Sequence, residues 1–88
     1  MIAPYVVRIT ARADRDLRRL PEKVATACVE FIYGALAENP HRVGKPLKRE
    51  LAGLHVARRG DYRVVFAIVE DDRAIAVFHI DRRSDIYR

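Results

Sequence analysis

The second half of this 88-residue chain changes its hydrophobic period, and this change constrains the fold more than any other feature. The runs LHVAR, YRVVFAIV and AIAVFHI are rich in β-branched and aromatic residues, which favour β-strands. Gly60-Asp61 between the first two runs is typical of a two-residue hairpin turn, and Asp71-Asp72 separates the second run from the third. Three strands joined by tight turns predict an antiparallel β-sheet meander.

The first half of the chain predicts a strand followed by a helical hairpin. PYVVRI is typical of a short strand, and ARADRDLRRL predicts a helix with Thr10 as its N-cap. Pro21 suits the first turn of a second helix, PEKVATACVEFIYGALAE, which is expected to end at Asn39-Pro40. Apolar residues recur at helical spacing, so each helix is expected to bury one side. These residues are Ala13, Leu17, Leu20, Val24, Cys28, Phe31, Ile32, Ala35 and Leu36.

These elements predict a single α+β domain over residues 1–88, in which an N-terminal strand and a helical hairpin pack on one face of an antiparallel β-sheet meander. A chain of 88 residues is too short for a second core. Hydrophobic residues make up 50% of the chain, which argues against intrinsic disorder. Because the helices cover only one face of the sheet, the other face is expected to be exposed; we call it the open face.

The single cysteine and the apolar runs place limits on compartment and chemistry. One cysteine excludes an intrachain disulfide and a cysteine zinc site, and it fits a reducing compartment. Cys28 lies on the apolar helical stripe, so we expect it in the core and not as a nucleophile. MIAPYVVRIT has no apolar run long enough for a signal peptide, and no later run is long enough to span a membrane. We expect a cytoplasmic protein.

Alternation along the predicted strands assigns side chains to the two faces of the sheet. The bulkier alternate set of YRVVFAIV is expected to face the helices, which leaves Arg63 on the open face. That bulkier set is Tyr62, Val64, Phe66 and Ile68. In the last strand Phe78 is expected in the core, which places His79 and Arg83 on the open face beside Arg63. Arginine at two such strand positions indicates a functional site.

The formal net charge of +5 is concentrated in one part of the chain. Residues 41–63 contain seven Lys or Arg against two Asp or Glu, whereas the flanking segments are almost balanced. We call residues 41–63 the central basic stretch. A localised basic patch is typical of a polyanion partner, and a merely solvated loop is the alternative interpretation.

Several segments together resemble the RelE/ParE family of toxins from bacterial type II toxin–antitoxin systems. They are KPL-K around Lys45 and Lys48, GL at Gly53-Leu54, GDYRVVF around Arg63, and RSDIYR at residues 83–88. The N-terminal ADRDLRRLP is similar as well. The order and spacing of these segments are closer to the RelE-like branch than to the ParE branch.

The resemblance implies a ribosome-dependent mRNA endoribonuclease, in which the RNA 2′-hydroxyl attacks the adjacent phosphodiester without a metal or other cofactor. It implies Arg63 and Arg83 as phosphate-stabilising catalytic residues and Tyr87 as a catalytic residue that stacks on a base or transfers a proton. The implied partners are the ribosome, mRNA and a cognate antitoxin with an acidic, amphipathic helical segment, with no membrane. The candidate RNA-binding residues are Lys45, Lys48, Arg58, Arg59 and Arg82.

The chain departs from some RelE relatives at the position of the general base. Leu54 and Val56 stand where those relatives place lysines on the strand before the Gly-Asp turn. His79 is the candidate replacement, because the pKa of histidine lies near physiological pH. A strand histidine without catalytic duty is the alternative. Of the other histidines, His55 is expected to face the helices and His41 to lie in the loop.

Two other functions remain open on the sequence. One is a ParE-like gyrase inhibitor without nuclease activity. The other is a non-catalytic basic module that binds RNA or acts with its antitoxin as a co-repressor. Mapping new mRNA 5′ ends after brief expression distinguishes all three functions.

Overall fold

The computed structural model describes residues 3–82, which form a five-stranded sheet with helices on one face. The strands are β1 (Val6–Ile9), β2 (Lys45–Pro46), β3 (His55–Arg59), β4 (Tyr62–Val69) and β5 (Ala74–Arg82). Their order across the sheet is β1-β5-β4-β3-β2. The predicted meander of three strands is confirmed, because β3, β4 and β5 are antiparallel neighbours.

The predicted helical hairpin is confirmed with shifted ends. The helices are α1 (Ala11–Arg19), α2 (Glu22–Phe31), which continues as a π-helical segment (Ile32–Leu36), and α3 (Pro40–Val43). The Thr10 hydroxyl accepts the Ala13 N–H at 3.2 Å and so caps α1 as expected. Asn39 ends the long helix and caps the short α3. Within residues 3–82, no helix has the length and apolar character needed to cross a membrane.

The two edge strands extend the meander on both sides. β2 pairs antiparallel with β3, and 3-10 turns at Arg49–Leu51 and Glu70–Asp72 complete the connections. β1 pairs parallel with β5, so the sheet is mixed. The sequence did not predict this neighbour, because a period of two identifies a strand but not the strand beside it.

The core lies between the helices and the sheet. Cys28, Ile32 and Leu36 from the helices meet Val64 and Phe66 from β4, and all five are fully buried. Burial raises the pKa of the Cys28 thiol to about 12, so the thiol stays protonated and acts as a core side chain.

One member of the predicted apolar stripe is misplaced. Ala35 is exposed, and Ala37 is buried in its place. The reason is the π-helical segment Ile32–Leu36, because its i→i+5 hydrogen bonds rotate the following residues relative to an α-helix.

The expectation that Phe78 belongs to the core is wrong. A β-bulge lies between β4 and β5: Val65 pairs with His79, but the next residue, Phe66, pairs with Val77. The extra residue is Phe78, which is 40% exposed, whereas Val77 is fully buried. A bulge places two residues of one strand opposite one residue of its partner, so the alternation of faces is reset there.

Candidate functional site

Arg63 lies on the open face, as the alternation predicts, in a row of charged side chains. It pairs in register with Arg58 on β3 and with Asp81 on β5. Its Nε donates to Asp81 Oδ1 at 3.2 Å, and its Nη2 donates to Asp81 Oδ2 at 3.4 Å. The two side chains are 24% and 18% exposed. The guanidinium is therefore held in one orientation while part of it still faces solvent.

His79 continues this row into a network that reaches α1. Its Nε2 is 2.9 Å from Asp81 Oδ2, and its Nδ1 is 2.8 Å from Asp16 Oδ2. Asp16 also accepts the backbone N–H of Ile80 at 3.0 Å, which ties α1 to β5 just after the bulge. The open face therefore carries a continuous chain of contacts from Asp16 through His79 and Asp81 to Arg63.

This network does not form a metal site. The imidazole of His79 separates the carboxylates of Asp16 and Asp81, so the two do not converge on one point. Among residues 3–82, no three His, Cys, Asp or Glu side chains are grouped to hold a metal ion.

A groove of about 420 Å³ opens beside the charged row. Its charged walls come from four elements: Arg12 lies on α1, Arg58 on β3, Arg63 on β4, and His79 with Asp81 on β5. Its apolar lining consists of Leu47, Leu51, Leu54, Val56, Val65 and Phe78. Leu54 and Val56 thus form part of an apolar wall at the positions where the resemblance leads one to expect lysines.

The basic candidates divide between the two faces. Lys45 pairs in register with Val56 and lies on the open face, where it lines a second hollow together with Arg58. Lys48 is exposed, one residue beyond Leu47 of the groove.

Arg59 and Arg82 lie on the opposite face. Both pair in register with Tyr62, which is buried against the helices. The Arg59 guanidinium carbon lies 5.3 Å from the centre of the Phe31 ring, and Arg82 Nη2 donates to Asp61 at 3.1 Å. The structure therefore does not bring these two cations together with Arg63.

The two remaining catalytic candidates, Arg83 and Tyr87, lie outside the described residues. Their roles stay predictions that rest on the family resemblance.

The two other histidines do not line the groove; the prediction for His55 is confirmed, but His41 lies in α3, where a loop was expected. His55 faces the helices and stacks on Phe66, with 5.5 Å between ring centres. Burial, and then the charge of His41, lower the pKa of His55. His41 lies 3.0 Å from Glu70, which also accepts a hydrogen bond from the Tyr5 hydroxyl at 2.7 Å. These two contacts, Tyr5 first, lower the pKa of Glu70.

The sequence prediction did not single out Asp16 and Asp81, although both residues carried a signal. Asp81 lies two residues after His79 at the end of the last predicted strand, so the alternation places both side chains on the same face. Asp16 is four residues before Leu20 and three after Ala13, so it borders the apolar stripe of α1. A carboxylate beside a buried helical face indicates a partner across the packing interface.

Comparison with known proteins places this geometry in a family. A family model described as the ParE toxin of the type II toxin–antitoxin system parDE matches residues 7–87. The chain is 62% identical to Toxin RelE of Mycobacterium tuberculosis over 85 residues, which covers 97% of this chain and 88% of that protein. It is 49% identical to Toxin RelG of the same organism over 85 residues, which covers 97% and 98%.

Solved structures agree with these sequence matches. The structure superimposes on a chain of the toxin–antitoxin complex RelBE2 from M. tuberculosis with a TM-score of 0.90 and 47% identity, covering 92% of this chain and 100% of that chain. The Escherichia coli RelBE complex shares the fold, with a TM-score of 0.72 at 17% identity over 89% of this chain and 95% of that chain. The chain therefore belongs to the RelE/ParE family of toxins of type II toxin–antitoxin systems, in its RelE-like branch.

Proposed function

We propose that this toxin is a ribosome-dependent endoribonuclease that cuts mRNA and so inhibits translation. The observation that carries the proposal is the placement of Arg63: its guanidinium is oriented on the open face, at the wall of a groove lined by further arginines. The 62% identity to a protein named Toxin RelE supports the same activity.

Arg63 suits the electrostatic part of the reaction. Attack by the 2′-hydroxyl creates a phosphorane with additional negative charge, and a planar guanidinium donates to two of its oxygens at once. Asp81 already occupies this fork in the free protein. An incoming phosphate therefore replaces the Asp81 carboxylate as the acceptor of these two hydrogen bonds, and the guanidinium is already oriented to donate them.

His79 is the proposed proton acceptor, with Asp16 as the group that orients it. Both ring nitrogens lie beside carboxylates, to which they donate N–H groups. Nε2 therefore accepts the 2′-hydroxyl proton only after it has left Asp81 and passed its own proton to that carboxylate or to water. The displacement of Asp81 by phosphate frees that nitrogen. The 2.8 Å contact of Nδ1 with Asp16 then holds the ring in place. Arg83 and Tyr87 complete the proposed catalytic set.

A cognate antitoxin, the ribosome and mRNA are the proposed partners. The solved structures of similar toxins include complexes with antitoxins. An acidic, amphipathic helical segment of an antitoxin complements the charge of the central basic stretch. The ribosome supplies alignment of the RNA for in-line attack, which a site without the lysines of some relatives needs all the more. Because ribosomes and mRNA are cytoplasmic, a cytoplasmic location is part of the proposal.

Substitution of Arg63 tests the proposal directly. We expect Arg63→Ala to lower mRNA cleavage in a translating extract by about 10² to 10³-fold, the typical loss of one donor to a developing oxyanion. The measurement is the mapping of new 5′ ends over time with purified protein. Arg18→Ala is the matched control, because it removes one arginine from an exposed site on α1.

Growth of cells that express the same two variants is the second measurement. Arg63→Ala should abolish growth arrest on expression, whereas Arg18→Ala should arrest growth like the wild type. Undiminished toxicity of Arg63→Ala, with the variant folded, contradicts the proposed role of this residue.

A second candidate function is inhibition of gyrase, because the matching family model is described as a ParE toxin. This function predicts that expression causes a DNA-damage response while mRNA stays intact. It also predicts that Tyr87→Phe leaves the toxicity unchanged. New mRNA 5′ ends in the absence of DNA damage exclude it. Salt-sensitive RNA binding without either effect identifies the third alternative, a non-catalytic module.

A further inference from the structure

Phe78 is an exposed aromatic side chain beside the proposed catalytic residues. The bulge in β5 places it on the open face next to His79, and Val77 occupies the core position instead. An aromatic ring that is 40% exposed gives up hydrophobic burial that its neighbours in the strand obtain. A ligand that covers the ring restores that burial.

The surroundings of Phe78 define the chemistry of such a ligand. The groove combines an apolar lining with three arginines, Arg12, Arg58 and Arg63. The one carboxylate in its wall, Asp81, is already bound to Arg63 and His79. The groove therefore favours a ligand that carries both a flat apolar face and a negative charge.

The volume of the groove limits the size of the ligand that it can bind. Its volume of about 420 Å³ is at the small end of the range for small-molecule pockets, about 300–1,000 Å³. A nucleotide has this size, an aromatic base and a phosphate. A docked amphipathic helix presents side chains over several turns and needs a longer apolar strip.

We infer that Phe78 is a stacking platform for an unpaired nucleobase of the RNA whose phosphate Arg63 binds. The inference rests on the proposed nuclease function and adds a base-binding subsite to it. The row of Val65 and His79 lies two residues from the row of Arg63 and Asp81, which is about 7 Å along the strands. A base on Phe78 and a phosphate on Arg63 therefore lie within one nucleotide or between neighbours. Aromatic stacking beside cations is a common mode of single-strand recognition.

The test compares one variant that keeps the aromatic ring with one that removes it, on two kinds of RNA ligand. Phe78→Tyr keeps the aromatic ring, and Phe78→Leu keeps an apolar side chain without it. The ligands are a short single-stranded RNA with deoxy nucleotides at the cleavage positions, which prevents cleavage, and the same oligonucleotide with one abasic nucleotide placed in turn at each position. Affinity is measured at low salt with the free toxin.

We expect Phe78→Leu to weaken binding of the intact oligonucleotide by about 5- to 150-fold, the span of stacking on one aromatic ring. Phe78→Tyr should bind like the wild type. With the abasic nucleotide at the correct position, wild type and Phe78→Leu should bind equally. Equal binding of the intact oligonucleotide by wild type and Phe78→Leu overturns the inference. It is also overturned if Phe78→Leu loses the same affinity relative to wild type on every abasic ligand, or if the wild type binds no RNA.

Two further measurements separate this inference from its competitors. If Phe78→Leu unfolds at the wild-type temperature and loses affinity only for an antitoxin peptide, Phe78 is a protein contact and the inference is wrong. Absence of new mRNA 5′ ends with the wild-type toxin refutes the proposed nuclease function, whereas the oligonucleotide comparison still decides whether Phe78 binds a base. In an active toxin, Phe78→Leu should also change the base preference at the mapped cleavage sites.

Discussion

In the proposed function, Arg63 has to meet two requirements, and its ion pair with Asp81 is compatible with both. Arg63 lies at an interior strand position, where an unpaired charge is costly. Asp81 compensates that charge across the strand pair and orients the guanidinium. The same residue therefore fits a stable sheet and a phosphate site, because the carboxylate and the phosphate are alternative anions for one fork of donors.

His55 illustrates the opposite case, a titratable group whose protonation the fold disfavours. It stacks on the buried Phe66, and its Nδ1 is buried without a hydrogen-bond partner among residues 3–82. Burial and the nearby His41 lower the pKa of His55. A protonated ring would need an acceptor for that nitrogen, which the surrounding described side chains do not supply.

This pKa shift predicts a pH-dependent contribution to stability. As the pH falls below about 6.5, His55 takes up a proton more readily in the unfolded chain than in the folded protein, so the free energy of unfolding decreases until the pH passes the lower pKa of the folded state. We expect His55→Gln, which cannot be protonated, to lose less stability than the wild type between pH 7.5 and 5.5. Urea unfolding at both pH values measures the difference, and identical losses in the two proteins would refute the prediction.

At the scale of elements, two local irregularities decide which side chains face where. The π-helical segment Ile32–Leu36 replaces Ala35 by Ala37 in the core. The bulge at Phe78 leaves both Phe78 and His79 on the open face. Each irregularity adds one residue to a regular element, and a periodic pattern does not reveal where such an insertion lies.

Gly44, at the end of α3, lies so close to the sheet that a larger residue there is expected to destabilise the fold. A Cβ at this position would lie 2.4 Å from the Phe66 ring, which is fully buried and closely packed. We expect Gly44→Ala to lower the free energy of unfolding by about 1–3 kcal/mol, the usual cost of overpacking. Denaturant unfolding measures it.

Gly34 provides the matched control for Gly44. A Cβ there meets nothing within 4 Å, and the residue lies inside the π-helical segment. Gly34→Ala should therefore be neutral or more stable by up to about 1 kcal/mol. If Gly44→Ala and Gly34→Ala change the free energy of unfolding equally, the prediction is wrong and the space between Gly44 and Phe66 does accommodate a Cβ.

At the scale of the whole molecule, the one-sided helical layer separates two sets of cations. Lys45, Arg58 and Arg63 lie on the open face, and Arg59 and Arg82 lie on the face that the helices cover in part. The central basic stretch is thus continuous in sequence but divided in space. We therefore expect a single RNA strand bound on the open face to contact the first set only.

The salt dependence of RNA binding tests this division. Each phosphate contact in a single strand contributes about 0.7 to the slope of log affinity against log salt. We expect Lys45→Ala and Arg58→Ala each to reduce the slope by about that amount, whereas Arg59→Ala should leave it unchanged. Titrations of a short RNA at several salt concentrations measure the slope. An equal reduction by Arg59→Ala shows that RNA reaches both faces.

The sequence predicted a large part of the fold and a smaller part of the candidate site. The meander, the helical hairpin, the Thr10 cap and the outward direction of Arg63 depend on local patterns, and the structure shows all four. The family assignment also followed from segments of the sequence and is confirmed. The prediction for Phe78 was wrong, since it assumed an unbroken alternation along β5.

By itself, the sequence determined the element types and the faces of β4, because hydrophobic period, turns and caps are properties of neighbouring residues. Only the tertiary structure decided that β1 lies beside β5, that Asp16 on α1 reaches His79, and that Phe78 leaves the core. Each of these three outcomes depends on the relative position of segments far apart in the chain. Packing of the whole domain sets that position, and no local pattern encodes it.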